Sequence, residues 1–344
     1  MNDEAVGYVN ETLARYSDWL YATSMTVYVI AMLMFLGALA GARYQRIDAK
    51  SESLVGATAG SATSLTKDSA DDRVPGRISG PAQRRPFGEK LAAMAFPVVW
   101  VGFLAHLGSV VLRGVATDRA PWGNMYEFIS LTCLACVAAG LVILRAKEAR
   151  PLLSFVLVPV VLLMFIGGRY LYTQAAPVVP ALKSYWLAIH VSIISVASGV
   201  LLVAGVASIL YLVRSKWPTL GVVDEAAAGL GAAGRRLLGH LPSAEALDRT
   251  AYKCTVIGFP LFGLGIICGA IWAEASWGRF WGWDPKETVS FIAWVIYAAY
   301  LHARATAGWR NASAWINIAG FVALLFNLFA INLVVSGLHS YAGL

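Results

Sequence analysis

Residues 186–213 read WLAIHVSIISVASGVLLVAGVASILYLV, a run without a single Asp, Glu, Lys or Arg. As a helix it is about 42 Å long at 1.5 Å per residue, more than a hydrocarbon core of roughly 30 Å. A helix at the surface of a soluble protein carries a polar face, and this run has none. Seven more apolar runs lie around it: Trp19 to Gly41, Leu91 to Arg113, Tyr126 to Leu144, Leu152 to Gly167, Val256 to Trp272, Val289 to His302 and Trp315 to Val335. Of the 344 residues 58% are hydrophobic and 14% charged, against a usual charged share of about 25%, and the mean hydropathy is +0.64. The expectation is an all-α integral membrane protein with about eight transmembrane helices. The first run is too long for a secretory signal, follows Asp3, Glu4, Glu11 and Asp18, and lacks a small-residue cleavage site, so it counts as a span.

The net charge of +7 bears on topology. With the N-terminus outside, 20 of the 27 basic residues fall in the segments after spans one, three, five and seven, the excess expected on the cytoplasmic side. Both termini then face out, and the tryptophan-rich loop between helices six and seven is external. Scattered in this way, the basic residues form no stripe for nucleic acid. Residues 1–43 are read as an N-terminal transmembrane unit and 44–89 as a disordered cytoplasmic linker, rich in Ser, Gly and Asp with Pro75, Pro81 and Pro86. Residues 90–344 form the main membrane domain. Part of the segment Ser215 to Arg249 reads as a weak surface helix.

Topology also sorts the five histidines. His106 and His302 fall within spans, His190 lies near the outer end of span five, and His339 follows span eight outside. His240 is solvated and has no role. An ionisable residue inside a membrane is functional by default, with a helix-to-helix hydrogen bond as the plainer alternative. Neutral imidazoles on different helices suit axial ligation of haem iron, and four of them make two pairs at two depths. His302 lies about 21 Å below Thr288, where span seven starts. His106 reaches that depth only if helix two continues past Arg113 to about Ala120, where Pro121 breaks it. Arg113, seven residues above His106, suits a haem propionate or an ordinary interfacial position, and both readings stand.

Residues 272–287 read WAEASWGRFWGWDPKE. Trp272, Trp309 and Trp315 fit an interfacial belt. Trp277, Trp281 and Trp283, spaced by glycines, look instead like a stacking surface for a large planar ligand. Asp284, Pro285 and Glu287 have the spacing of a capping box that opens span seven, a structural role for Asp284. Cys133 and Cys136 have a redox spacing but lie in an apolar helix, where small packing residues are the plainer reading. No phosphate-binding loop is present, so no ATP hydrolysis is expected.

WGRFWGWDPKE, with YWLAIHVS upstream and YLHAR and GLHSY downstream, resembles the tryptophan-rich WWD domain of haem-handling proteins, in particular the CcsA (ResC) type of System II cytochrome c maturation. The resemblance covers about Lys90 to Leu344 and includes a PxxNxYE motif at Pro121, Asn124, Tyr126 and Glu127. It implies two haem b sites, an external one ligated by His190 and His339 and a second within the membrane ligated by His106 and His302. At the first, haem is transferred rather than kept, its vinyl groups offered to the thiols of an apocytochrome c CxxCH segment, with Trp277, Trp281, Trp283 and Asp284 as further cofactor-binding residues and no assigned catalytic residue; Arg113, above His106, is the cofactor-binding candidate of the inner site. It also implies a separate CcsB (ResB) type subunit, thiol-reducing thioredoxin-like proteins, and a bacterial cytoplasmic or a thylakoid membrane. A haem exporter or chaperone without ligase activity, and a bis-histidine b-type electron-transfer cytochrome, are the alternatives.

Overall fold

A computed structural model describes residues 9–59, 87–146, 149–177, 183–216, 241–306 and 309–339. Among these the chain forms eight helices: α1 (Glu11–Ala59), α2 (Phe87–Thr117), α3 (Met125–Ile143), α4 (Leu152–Tyr170), α5 (Tyr185–Lys216), α6 (Ala244–Trp277), α7 (Pro285–Ala305) and α8 (Arg310–Leu333). Seven of them are long and apolar enough to cross a membrane. The exception, α7, has Lys286, Glu287, His302, Arg304 and two tyrosines, which lower its hydropathy, yet its 21 residues span about 31 Å. The result is an all-α multi-pass membrane protein.

α1 lies along α2, α5 along α6, and α7 along α8; α3 packs against α4 and α5, and α5 also reaches α8. α3 and α5 therefore join two halves. Tyr28, Phe35, Val99, Ile129, Leu157 and Val203 belong to the core of the first, and Leu201, Phe262 and Tyr297 to that of the second. Where the halves meet, a Cβ on Gly199 would stand 2.5 Å from the Cys136 nitrogen. Small residues let membrane helices approach this closely, because packing rather than water drives their association. Cys133 and Cys136 are buried free thiols in that packing, as expected.

The helices begin and end differently from the apolar runs. α1 continues to Ala59, past the boundary expected at residue 43. Residues 60–86, the rest of the expected linker, lie outside the described residues. α6 starts at Ala244, capped by the Ser243 hydroxyl, which accepts from Ala246 N at 3.2 Å. The end of the expected surface helix thus belongs to α6, and 217–240, with His240, lie outside the described residues. α2 runs past Arg113 to Thr117, close to the expected end.

At one end of the bundle, Asn10 N donates to Ala116 O at 2.8 Å, Trp122 packs on Leu187, Val191 and Trp272, and Leu338 N donates to Asp284 at 2.8 Å. The first and last described residues therefore share the end that carries the tryptophan-rich loop.

Candidate functional site

At that end the first turns of α5 bring His190 against α6. Its Nδ1 lies 2.7 Å from the Gly265 carbonyl oxygen, and its ring rests on Gly269, where a Cβ would stand 2.7 Å from His190 Cε1. Only glycine leaves room for the imidazole there. His339 comes from the segment after α8, and its Nδ1 lies 2.8 Å from Asp284 Oδ2. A carbonyl and a carboxylate can only accept, so in each ring Nδ1 carries the proton and Nε2 the lone pair. Metal-binding histidines are commonly held by this kind of contact.

Asp284 has two roles. As N-cap of α7 it accepts from Lys286 N at 3.2 Å, and Glu287 returns the bond to Asp284 N at 3.1 Å, completing the expected capping box. It also holds Leu338 N and His339, with Gly337 so close that a Cβ would stand 2.8 Å from its Oδ1. Burial would raise its carboxyl, but the hydrogen bonds from His339, Leu338 N and Lys286 N and the nearby His339 ring hold it at about 2. For His339, burial lowers the pKa and the Asp284 bond only partly offsets it.

α6 ends in Gly278, left-handed at φ 70°. The following loop folds over Glu287, which accepts from Gly282 N at 2.9 Å and from Arg279 at 3.1 Å. The tryptophans divide in a way the sequence reading missed. Trp272, expected in the interfacial belt, is 1% exposed and touches both histidines, stacked 6.1 Å from His190 and edge-on 5.9 Å from His339. Trp277 packs 4.8 Å from Trp272 and 5.1 Å from His339. Trp281 lines the adjoining cavity, while Trp283 is 67% exposed with φ 57° and stands edge-on to Trp281. The three indoles are therefore not one surface. Trp309 and Trp315 are exposed, as a belt requires.

The cavity beside these rings is lined by His190, His339, Trp272, Trp281, Lys286 and Ser290 at its polar end, and runs inward to Leu202 and Phe321. Two imidazoles held at Nδ1 and an aromatic wall are a donor set that fits an iron porphyrin.

The inner pair is not assembled. His106 is fully buried among α1, α2 and α3, with Nε2 3.0 Å from the Ser130 hydroxyl and Nδ1 3.4 Å from Tyr28 OH. His302 lies on the exposed face of α7, which packs on α6 and α8, whereas α2 packs on α1 and α3. His106 thus makes the interhelical hydrogen bonds that were its plainer reading, and its pairing with His302 within this chain is corrected.

Arg113 is corrected too. Its guanidinium is buried and donates to Glu127 at 2.9 Å, to Asp18 at 3.4 Å and to the Thr173 carbonyl, so its donors serve the protein. Arg119 joins Glu127 at 2.8 Å, Asn124 caps α3 by accepting from Glu127 N, and Tyr126 packs beneath Arg113 at 5.3 Å. The PxxNxYE motif builds this buried ion cluster. The signal was Glu127, a carboxylate opening an apolar helix, for which the sequence reading named no partner.

A family profile described as "Cytochrome C assembly protein" matches residues 122–339. Among similar proteins, the "Cytochrome c biogenesis protein CcsA" of Gloeobacter violaceus is 34% identical over 287 residues, covering 71% of this chain and 85% of its own. That of Prochlorococcus marinus is 34% identical over 273 residues, covering 74% and 86%. Among solved structures, "Cytochrome c Heme Lyase CcmF" superposes with a TM-score of 0.57 at 16% identity, over 91% of this chain and 46% of that one, a likeness of fold.

Proposed function

This chain belongs to the cytochrome c assembly protein family, among the CcsA proteins, and its work is cytochrome c biogenesis; we propose that it holds haem b between His190 and His339 and presents it for covalent attachment to apocytochrome c. The observation that carries this reading is the paired tether: Gly265 and Asp284 each hold the Nδ1 of a histidine, and both histidines line one aromatic-walled cavity. Bound there, the haem supplies the vinyl groups that react with CxxCH thiols. The chain's own residues position it. Trp272 packs against both rings, and Asp284 holds His339 in its tautomer. His339 sits on a short segment after α8 and His190 inside a helix, so His339 is the ligand that yields to the CxxCH histidine.

His302 has a different place in this reading. An imidazole on an exposed helix face in a membrane finds its second axial partner on another chain, so the inner haem belongs to an interface with a CcsB (ResB) type subunit. Delivery is toward the face that carries the tryptophan loop, taken as the outer one, where thioredoxin-like proteins keep the acceptor thiols reduced.

The test is holocytochrome formation in cells lacking the native pathway, with absorption spectra of the purified protein. His190→Ala and His339→Ala should each remove the low-spin spectrum of this site and attached haem, with free imidazole restoring attachment more fully at His339. Wild-type attachment after both replacements would defeat the ligase reading; a low-spin haem that never leaves with the cytochrome would favour electron transfer instead.

A further inference from the structure

Lys286 opens α7 and points into the cavity beside His190 and His339. A cation at this depth needs a partner, and its Nζ has a neutral one, the Asn332 Oδ1 at 2.5 Å. Asn332 is fixed in that orientation because its amide nitrogen donates to the Leu328 and Asn327 carbonyls at 2.7 and 3.3 Å. The oxygen is thus left to face the lysine, and the ammonium keeps two further protons.

Among the described residues no carboxylate lies within ion-pair distance of Lys286 Nζ. The two nearby in sequence are committed elsewhere. Asp284 accepts from His339, Leu338 N and Lys286 N, and Glu287 from Arg279, Gly282 N and Asp284 N. One turn further along α7, Ser290 also lines the cavity. Its oxygen accepts from Asn327 Nδ2 at 2.7 Å, which leaves its own proton to donate. Residues four apart share a helix face, so an ammonium and a hydroxyl donor stand together on one wall, and Glu287, which also lines it, has its carboxylate taken by Arg279, Gly282 N and Asp284 N.

We propose that Lys286, supported by Ser290, is the anchor for a carboxylate of the bound porphyrin; this rests on the reading of the cavity as a haem site. Haem b carries its two propionates on one edge and its vinyls away from them. A propionate held at the α7 wall turns the vinyl groups away from Lys286, so the anchor chooses which edge of the macrocycle is available for reaction. It also selects acidic porphyrins over neutral ones. Lys286 is thereby a positioning residue.

The experiment titrates the purified full chain with haem b and with its dimethyl ester, which keeps the iron and the vinyls but has no carboxylate. Affinity and the low-spin spectrum are read for each ligand. A hydrogen bond to a charged group predicts that the wild type prefers haem over the ester by roughly tenfold to a hundredfold. Lys286→Met should lose most of that preference while binding the ester as the wild type does, with the same spectrum, which shows that the fold and both histidines are intact. Lys286→Arg should keep the preference, and Ser290→Ala should lose a smaller part of it. A wild type that binds both ligands with a low-spin spectrum and equal affinity overturns the Lys286 assignment alone. So does a preference that survives in both Lys286→Met and Ser290→Ala. A wild type that binds neither ligand removes the haem reading, and the anchor with it.

Discussion

Replacing Asp284 separates its two roles, because Asn and Ala differ in which they preserve. Asparagine is as good an N-cap as aspartate, whereas alanine at an N-cap costs about 0.5–2 kcal/mol. Asp284→Asn keeps one acceptor oxygen, enough for the cap but not for Leu338 N as well, so it should lower thermal stability in detergent less than Asp284→Ala, which loses both acceptors and should cost about 1 kcal/mol or more. At His339 both variants remove the same thing, a charged acceptor 2.8 Å from Nδ1. Loss of such a supporting contact typically weakens metal binding by about tenfold to a hundredfold. Haem affinity should thus fall by that factor in both variants, while stability falls further in Asp284→Ala. The assay is a haem titration followed by absorption beside a thermal melt of each purified protein. Wild-type haem affinity in Asp284→Asn would show that His339 is not held for ligation by this carboxylate.

Gly269→Ala places a methyl 2.7 Å from His190 Cε1, so haem loading should drop while the fold loses no more than the 1–3 kcal/mol usual for overpacking, as read by spectrum and melt. Arg113→Met leaves the buried Glu127 with fewer cationic partners and should cost roughly 3–5 kcal/mol with no change in the spectrum of the protein that folds; a stable variant that lost haem would restore the propionate reading. His302→Ala should leave haem at the His190 and His339 site of the isolated chain untouched and remove an inner haem only from protein purified with its partner subunit, as measured by haem content per chain.

Helix number and order were legible because a membrane span must satisfy its backbone within itself, and length with apolarity suffices to find it. Asp284, Pro285 and Glu287 were legible because a capping box is local chemistry. The position of Trp272 was not. A tryptophan at the end of an apolar helix has the same sequence context whether its ring faces the lipid headgroups or packs on two histidines, and only the packing of α5 and the segment after α8 distinguishes them. Arg113 failed for a similar reason, since its partners Asp18, Glu127 and Thr173 come from three other parts of the chain.

The inner histidines failed on a more general point. Depth along a helix can be counted from sequence, but the direction a residue faces is read from the contrast between its two sides, and lipid is as apolar as a protein interior. α7 buries Ala293, Tyr297, Tyr300 and Ala303, a face with helical spacing. His302 falls off that face beside exposed Phe291, Ile292 and Val295, a row whose hydrophobicity would suit a core equally well. Two histidines at one depth were therefore paired although their helices belong to different halves of the bundle. Direction also sets the other pair apart: His190 and His339 each have a fixed acceptor at Nδ1, and both line one cavity at the end of the bundle that carries the tryptophan-rich loop. A partner subunit seated on the α7 face would give His302 what Asp284 gives His339, a neighbour that makes one orientation of the imidazole better than the rest.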